Sequence, residues 1–300
     1  MQLGLIGLGK MGGFMAQRLI GAGHAVVGFD QSAATRAEVA QHGVTGVESL
    51  ADLVGKLKAP RAVWVMVPHG PPTESTINAL LGLVAADDIL IDGGNSHFTE
   101  SQAAARRCAA KGVHFVDAGV SGGVWGLTEG YCLMVGGPAE ACKRLEPILR
   151  ALAPKDGYAR VGDSGAGHFV KMIHNAIEYA MLQAYGEGFE CMQRSEFKLQ
   201  LGAIAQLWNH GAVVRSWLLE LLTRALQTEG DELGKVAGYV DDSGTGRWTV
   251  EYAVANAIPI PGITTSVYER FASRQDERFA MKVIAALRQQ FGGHQVHAEK

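Results

Sequence analysis

Apolar residues alternate between two kinds of spacing along this chain, and the change comes near its middle. In the first half, short apolar runs are separated by helical stretches. The runs are QLGLI at 2–6, HAVVGFD at 24–30, RAVWVMV at 61–67, DILID at 88–92, 113–118 and YCLMVGG at 131–137. Unbroken runs of this length suit strands buried on both faces. Between them, Lys10 to Ala22, Thr73 to Leu83, Phe98 to Lys111 and Ala139 to Leu152 carry helical spacing. Strand and helix in alternation predict a parallel, doubly wound sheet with its sites at the carboxyl ends of the strands. After Gly165 the strand signals fade. One long helix to about Arg194 is predicted, then helices near 198–209, 214–228, 249–257, 264–273 and 276–290, with DDSGTGRWT at 241–249 as a polar loop. The fold class is therefore an α/β Rossmann-like domain followed by an all-α domain. The division is placed at 1–164 and 165–300, with the VGDSGAG stretch as the junction.

The long helix has one unusual side. From Lys171, the positions i+3, i+4, i+7 and i+8 are His174, Asn175, Glu178 and Tyr179, which share a face at 3.6 residues per turn. Met172, Ile173, Ala176, Ile177, Ala180 and Met181 supply apolar positions around it. A solvated face is the alternative, but such faces usually carry Glu, Lys and Gln. A base, an acid and hydrogen-bonding groups gathered on one face point to a chemical site.

The chain's first turn signal is GLGKMG, Gly7 to Gly12, between the first strand and the first helix. GxGxxG in that context suits a dinucleotide: glycines let the backbone approach the pyrophosphate, and the helix N-terminus offers free N–H groups. Gly7, Leu8, Gly9, Lys10, Met11 and Gly12 would line the cofactor, joined by Val67 ahead of the PHGPP loop and by Asn95. Asp30 ends the second strand 18 positions after Gly12, close to the spacing of about 20 for the acid that accepts from the adenine ribose. Its carboxylate would repel a 2′-phosphate, and no Lys or Arg follows until Arg36, so NAD is expected over NADP. Asp30 or Ser32 also fits as the cap of the next helix. Asn95 and Ser121-Gly122-Gly123 lie at strand ends, where they suit a substrate hydroxyl and carboxylate or plain turn chemistry.

Length and composition narrow the classes. Three hundred residues, 47% hydrophobic and 19% charged, make room for two domains and a sizeable core. A net charge of −3 gives no basic field for nucleic acid or an anionic membrane. Cys108, Cys132, Cys142 and Cys191 form no CxxC pair and no metal-like cluster. The start lacks a signal-peptide pattern, and no apolar run reaches the roughly 20 residues of a membrane span. A cytoplasmic protein is expected, with no metal.

These motifs resemble 6-phosphogluconate dehydrogenase in its short bacterial form. GLGKMG, IDGGNS at 91–96, VSGG at 120–123, GAGHFVKMIHNAIEY at 165–179, GTGRWT, and the FGGH run near the end carry the likeness. The resemblance implies Lys171 as catalytic base and Glu178 as catalytic acid. It places Asn95, Ser121, Gly122, Gly123, His174, Asn175 and Tyr179 as substrate contacts, and Arg247, Thr249 and Arg270 at the phosphate. Arg288 and His294 match a pair lent by a neighbouring subunit, which implies a homodimer or homotetramer. Arg247 stands where a lysine is common, and the chain is too short for the duplicated helical domain of long members. The implied substrate is 6-phosphogluconate. A β-hydroxyacid dehydrogenase would also use Lys171 and Asn175, but has no need of Glu178 or a cationic cluster. A non-catalytic sensor would have no use for a lysine base.

Overall fold

The computed structural model describes residues 1–293 and 295–297. The chain forms two compact units, Met1–His174 and the residues from Asn175 onward. No helix of the described residues is long and apolar enough to cross a membrane.

In chain order the first unit holds β1 (Gln2–Ile6), α1 (Lys10–Gly21), β2 (Ala25–Phe29), α2 (Ala33–Ala40), β3 (Thr45–Val47), α3 (Leu50–Lys56), β4 (Ala62–Val65), α4 (Pro71–Leu80), β5 (Ile89–Asp92) and α5 (Phe98–Ala109). Then come β6 (His114–Ser121), a 3-10 turn at Gly123–Trp125, α6 (Gly126–Glu129), β7 (Cys132–Gly136), α7 (Ala139–Leu152), β8 (Tyr158–Gly162) and the start of α8 (Ala166–Gln193). The strands form one sheet in the order β3-β2-β1-β4-β5-β6-β7-β8. Every residue of β4 and β5 is buried, as continuous apolar runs require. The order reverses between β1 and β4, which opens a crevice at their carboxyl ends. Apolar clusters fill both faces, one around Leu3, Met15, Trp64 and Leu145, the other around Leu53, Val63, Leu90 and Phe115.

The sheet departs from the all-parallel expectation at one place: β7 pairs antiparallel with β6. Only the short 3-10 turn and α6 connect them, and a parallel crossover needs a dozen or more residues. β8 pairs parallel with β7. Its YARVG residues are largely exposed, so no apolar run announces it. α4 starts at Pro71 rather than Thr73, because prolines are tolerated in a first helical turn.

The start of α8 is seated directly on the sheet. Asp117 of β6 is fully buried. Its carboxylate accepts from the Gly165 N–H at 2.6 Å and from the His168 N–H at 2.9 Å, so it satisfies two donors that a helix N-terminus otherwise leaves unpaired. A Cβ at Gly167 would lie 2.5 Å from the Asp117 and Met134 carbonyl oxygens. One at Gly119 would lie 2.5 Å from the Cβ of Lys171. His168, also buried, bonds through Nδ1 to the Ser101 hydroxyl at 2.7 Å.

The second unit holds the rest of α8, then α9 (Leu201–Trp208), α10 (Trp217–Glu229), α11 (Thr245–Ala255), α12 (Pro261–Ala272) and α13 (Phe279–Gly292). Phe189, Leu201, Ala205, Leu219 and Leu226 form its apolar cluster. The expected loop at 241–249 ends early. Gly244, at φ 86°, turns the chain, and α11 begins at Thr245, so Arg247 stands in a first helical turn.

Asp117→Asn removes one of the two acceptors for the helix N-terminus and should cost about 1–3 kcal/mol. Gly167→Ala should cost at least as much, since its neighbours are backbone atoms. The urea midpoint of the first unfolding transition measures both; unchanged midpoints would show that the helix is held elsewhere.

Candidate active site

The crevice at the sheet's switch point carries the glycine loop. Gly7 has φ 85°, and a Cβ at Gly12 would lie 1.9 Å from the Gly7 carbonyl oxygen, so loop and helix meet without side chains. A Cβ at Gly9 would meet nothing within 4 Å. α1 begins at Lys10 with no side-chain cap at Gly9, which leaves its first N–H groups available to an anion. The Asp30 carboxylate accepts from the Leu8 N–H at 2.8 Å and from the Ser32 N–H at 2.9 Å. A carboxylate has about four acceptor positions, so both oxygens retain capacity for ribose hydroxyls. Ser32 does cap α2, accepting from the Thr35 N–H at 3.2 Å, and the cap coexists with the loop tie. Val67 packs beside Gly7. These residues fit a dinucleotide.

Arg36 is nearer than its sequence position suggests. Its Nη1 donates to the Asp30 carbonyl at 2.7 Å and to that of Gln31 at 3.2 Å. One turn of α2 brings it back to the end of β2.

At the ends of β5 and β6, Asn95 adopts φ 55°, a left-handed conformation that Asn tolerates better than most residues. Its Nδ2 donates to the Val120 carbonyl at 3.3 Å, and its Oδ1 accepts from the Val120 N–H at 3.0 Å. This places Asn95 beside Ser121. The Ser121 hydroxyl lies 3.4 Å from His174 Nε2, and His174 Nδ1 lies 3.4 Å from Lys171 Nζ. The three side chains form a row at the long end of hydrogen-bond range. Lys171 is 6% exposed. Gly122 and Gly123 have positive φ, and a Cβ at Gly123 would face open space.

In the second unit, Asn175 Nδ2 donates to the Thr245 hydroxyl at 3.4 Å. Tyr179 is buried, with its ring against Gly246 of α11. Its hydroxyl accepts from the Ser243 N–H at 3.0 Å and bonds the Ser243 hydroxyl at 3.1 Å. The Arg270 guanidinium lies 3.5 Å above the Tyr179 ring, a cation–π contact. Glu178 is partly exposed. Thr249 is buried, and its hydroxyl donates to the Thr245 carbonyl at 3.0 Å. Arg288 is exposed on α13, while His294 lies outside the described residues.

Residues 2–162 match the model of the NAD binding domain of 6-phosphogluconate dehydrogenase, and 167–299 match the C-terminal domain of 6-phosphogluconate dehydrogenase. The chain belongs to the 6-phosphogluconate dehydrogenase family. It is 46% identical to an NAD(+)-dependent, decarboxylating 6-phosphogluconate dehydrogenase of Haloferax volcanii, over 99% of this chain and 98% of that one. Among solved structures, the Plasmodium falciparum 6-phosphogluconate dehydrogenase aligns with TM-score 0.85 at 25% identity, covering all of this chain and 66% of that one. The Mycobacterium tuberculosis 3-hydroxyisobutyrate dehydrogenase aligns with TM-score 0.72 at 24% identity, a likeness of fold. The first domain is thus the one that matches the dinucleotide-binding model.

Several residues of this constellation were not evident from sequence. Asp117 sits within an apolar strand pattern, where a lone acid is the available signal of a buried role. Asp242 and Ser243 look like loop polarity. Arg274 has no distinguishing spacing, yet its Nη2 donates to the Asp242 carboxylate at 3.1 Å. Burial pushes the Asp242 carboxyl up, but the Gly244 N–H, Arg247 and Arg274 outweigh it and hold it below its ordinary 3.8.

A carboxyl lowered on folding stabilises the fold above its unfolded value, about pH 4, and the contribution is lost as pH falls through the folded value. The stability difference between wild type and Asp242→Asn should therefore be largest above about pH 4 and shrink below it. Urea unfolding at pH 3 to 7 measures this; a constant difference would show that the carboxyl's charge is not what stabilises the loop.

Proposed function

We propose that this protein oxidises 6-phospho-D-gluconate with NAD and releases CO2, giving D-ribulose 5-phosphate. The observation that carries the proposal is the buried Lys171, in a row with His174 and Ser121 on a helix fixed to the sheet. The match of both domains to one family supports it, and the Haloferax volcanii relative supports NAD.

When bound, NAD supplies the acceptor for the hydride leaving C3 of the substrate. Lys171 takes the C3 hydroxyl proton as that hydride departs, and its burial suits a base that must begin without its own proton. The product is a β-keto acid whose ketone accepts the electrons of the breaking C1–C2 bond, so CO2 leaves without a further electron sink. Lys171, now protonated, donates to the developing enolate oxygen. Glu178, seven residues along the same helix face, then protonates C1 of the enediol while Lys171 takes back the proton of the enol oxygen, leaving the ketone. Asn95, Ser121, Gly122, Gly123, His174 and Asn175 hold the hydroxyls and carboxylate. Tyr179, Arg247, Thr249 and Arg270 serve the phosphate, which needs several donors or cations. Arg288 and His294 of a neighbouring copy complete that end in a homodimer or homotetramer. The division of labour is then cofactor binding by 1–164 and substrate binding and dimerisation by 165–300, in the cytoplasm. The arginines around residues 241–247 favour this substrate over the small acids of a β-hydroxyacid dehydrogenase.

Lys171→Ala should lower NADH formation and CO2 release together by about 10²–10⁴-fold, with NAD binding by fluorescence titration unchanged. Near-normal turnover would sink the assignment. Glu178→Gln should mainly slow the final protonation and spare hydride transfer in single-turnover absorbance traces.

The cofactor preference has its own test. Replacing Asp30 by Ala together with Gln31→Arg should raise kcat/KM for NADP relative to NAD by about 10- to 100-fold, the worth of a charge-assisted bond or two. If the ratio does not move, Asp30 is not the discriminating group.

A further inference from the structure

Two consecutive aspartates lie at the centre of the second unit's cations. The Asp242 side chain is 1% exposed. Its Oδ1 accepts from the Gly244 N–H at 3.0 Å and from Arg247 Nε at 2.9 Å, and its Oδ2 from Arg274 Nη2 at 3.1 Å. Arg274 Nη1 lies 3.7 Å from Asp241 Oδ1. Arg270 Nη1 donates to the Asp241 carbonyl at 2.9 Å. The next residue, Ser243, holds the Tyr179 hydroxyl. Three guanidiniums and a phenol are thus referenced to three successive residues.

A buried carboxylate is costly unless its lone pairs are used, and here a backbone N–H and two cations use them. The bond to Arg247 runs through Nε, so the terminal nitrogens of that side chain, which is 53% exposed, are left for other partners. Arg274 is 25% exposed.

We infer that Asp242 is a positioning residue for phosphate recognition, holding Arg247 and Arg274 as a fixed pair, and that Arg274 is a further cation of that site. The inference rests on the phosphorylated substrate proposed above. A carboxylate inside an anion site is a paradox on charge alone, because it repels the phosphate. Its value is geometric. A free arginine gives up rotamer entropy when it is immobilised, and Asp242 fixes two of them before the ligand arrives.

Charge and geometry predict opposite signs, which makes the test decisive. KM and kcat for 6-phosphogluconate and for gluconate, with Ki for inorganic phosphate, are measured on wild type, Asp242→Asn and Asp242→Glu. Positioning predicts that Asp242→Asn raises KM for 6-phosphogluconate and Ki for phosphate about 10-fold or more, the scale of one charge-assisted bond. It also predicts kcat within about 3-fold, gluconate kinetics unmoved and partial rescue in Asp242→Glu. A KM and Ki that fall or stay constant in Asp242→Asn overturn the inference. Should Asp242→Asn not fold, Arg274→Gln decides: a raised Ki for phosphate supports the inference, and an unchanged one overturns it. A wild type that does not prefer 6-phosphogluconate over gluconate overturns the proposed function itself, and this inference with it.

Discussion

The seating of α8 on β6 is the constraint from which the first unit's chemistry follows. Asp117 receives the helix's first N–H groups, and Gly119 and Gly167 remove the side chains that would keep helix and strand apart. Contacts then climb the strand in step with the helix: Asp117 meets Gly165 and His168, Gly119 meets Gly167 and Lys171, and Ser121 meets His174. The height of Lys171 above the sheet's carboxyl edge is thus set by backbone contact, which has little slack. A lysine on a flexible loop would be ordered only when something bound it; this one is ordered by folding.

Carboxylates recur as anchors for backbone. Asp30 ties the glycine loop to β2, Asp117 ties α8 to β6, and Asp242 ties the turn before α11 to two arginines. Each accepts N–H groups that a loop or helix start would otherwise leave unpaired. In Asp30 and Asp242 the same oxygens also shape what an anion meets nearby. On the proposed function, structural and recognition duties would be merged in single side chains.

The broad plan was legible because its signals are periodic. Unbroken apolar runs mark β1, β4 and β5, and the glycines of GLGKMG mark the loop before α1. Helical spacing placed Lys171, His174, Asn175, Glu178 and Tyr179 on one face. What escaped detection lacks period. β8 has polar, exposed residues, and β3 is three residues long. The start of α11 depends on one left-handed glycine, Gly244. The apolar side of α8 was also only partly buried: Met172 and Ala176 are inside, but Ile177 and Met181 are 50% and 38% exposed. Asp242 and Arg274 lie 32 residues apart, and nothing local pairs them. Contacts of that kind are decided by tertiary packing, so a single chain read in order does not disclose them.

The inversion at β7 acquires meaning from where α8 begins. In an all-parallel sheet every strand delivers the chain to the same edge, the one that bears the ligand loops. Each reversal changes which edge the next strands deliver it to, in the manner of a parity. With β7 antiparallel to β6, and β8 parallel to β7, the chain descends along β8 and leaves it at Gly162, level with Asp117 and so with the carboxyl ends of β5, β4 and β1. From there α8 ascends beside the last residues of β6, which run past those ends, and Lys171 arrives next to Gly119. An even number of reversals would have started the same helix at the top, with its first turns already past the sheet. The short connection between β6 and β7, by forbidding a parallel return, decides the level along β6 at which α8 begins, and with it the height of the lysine.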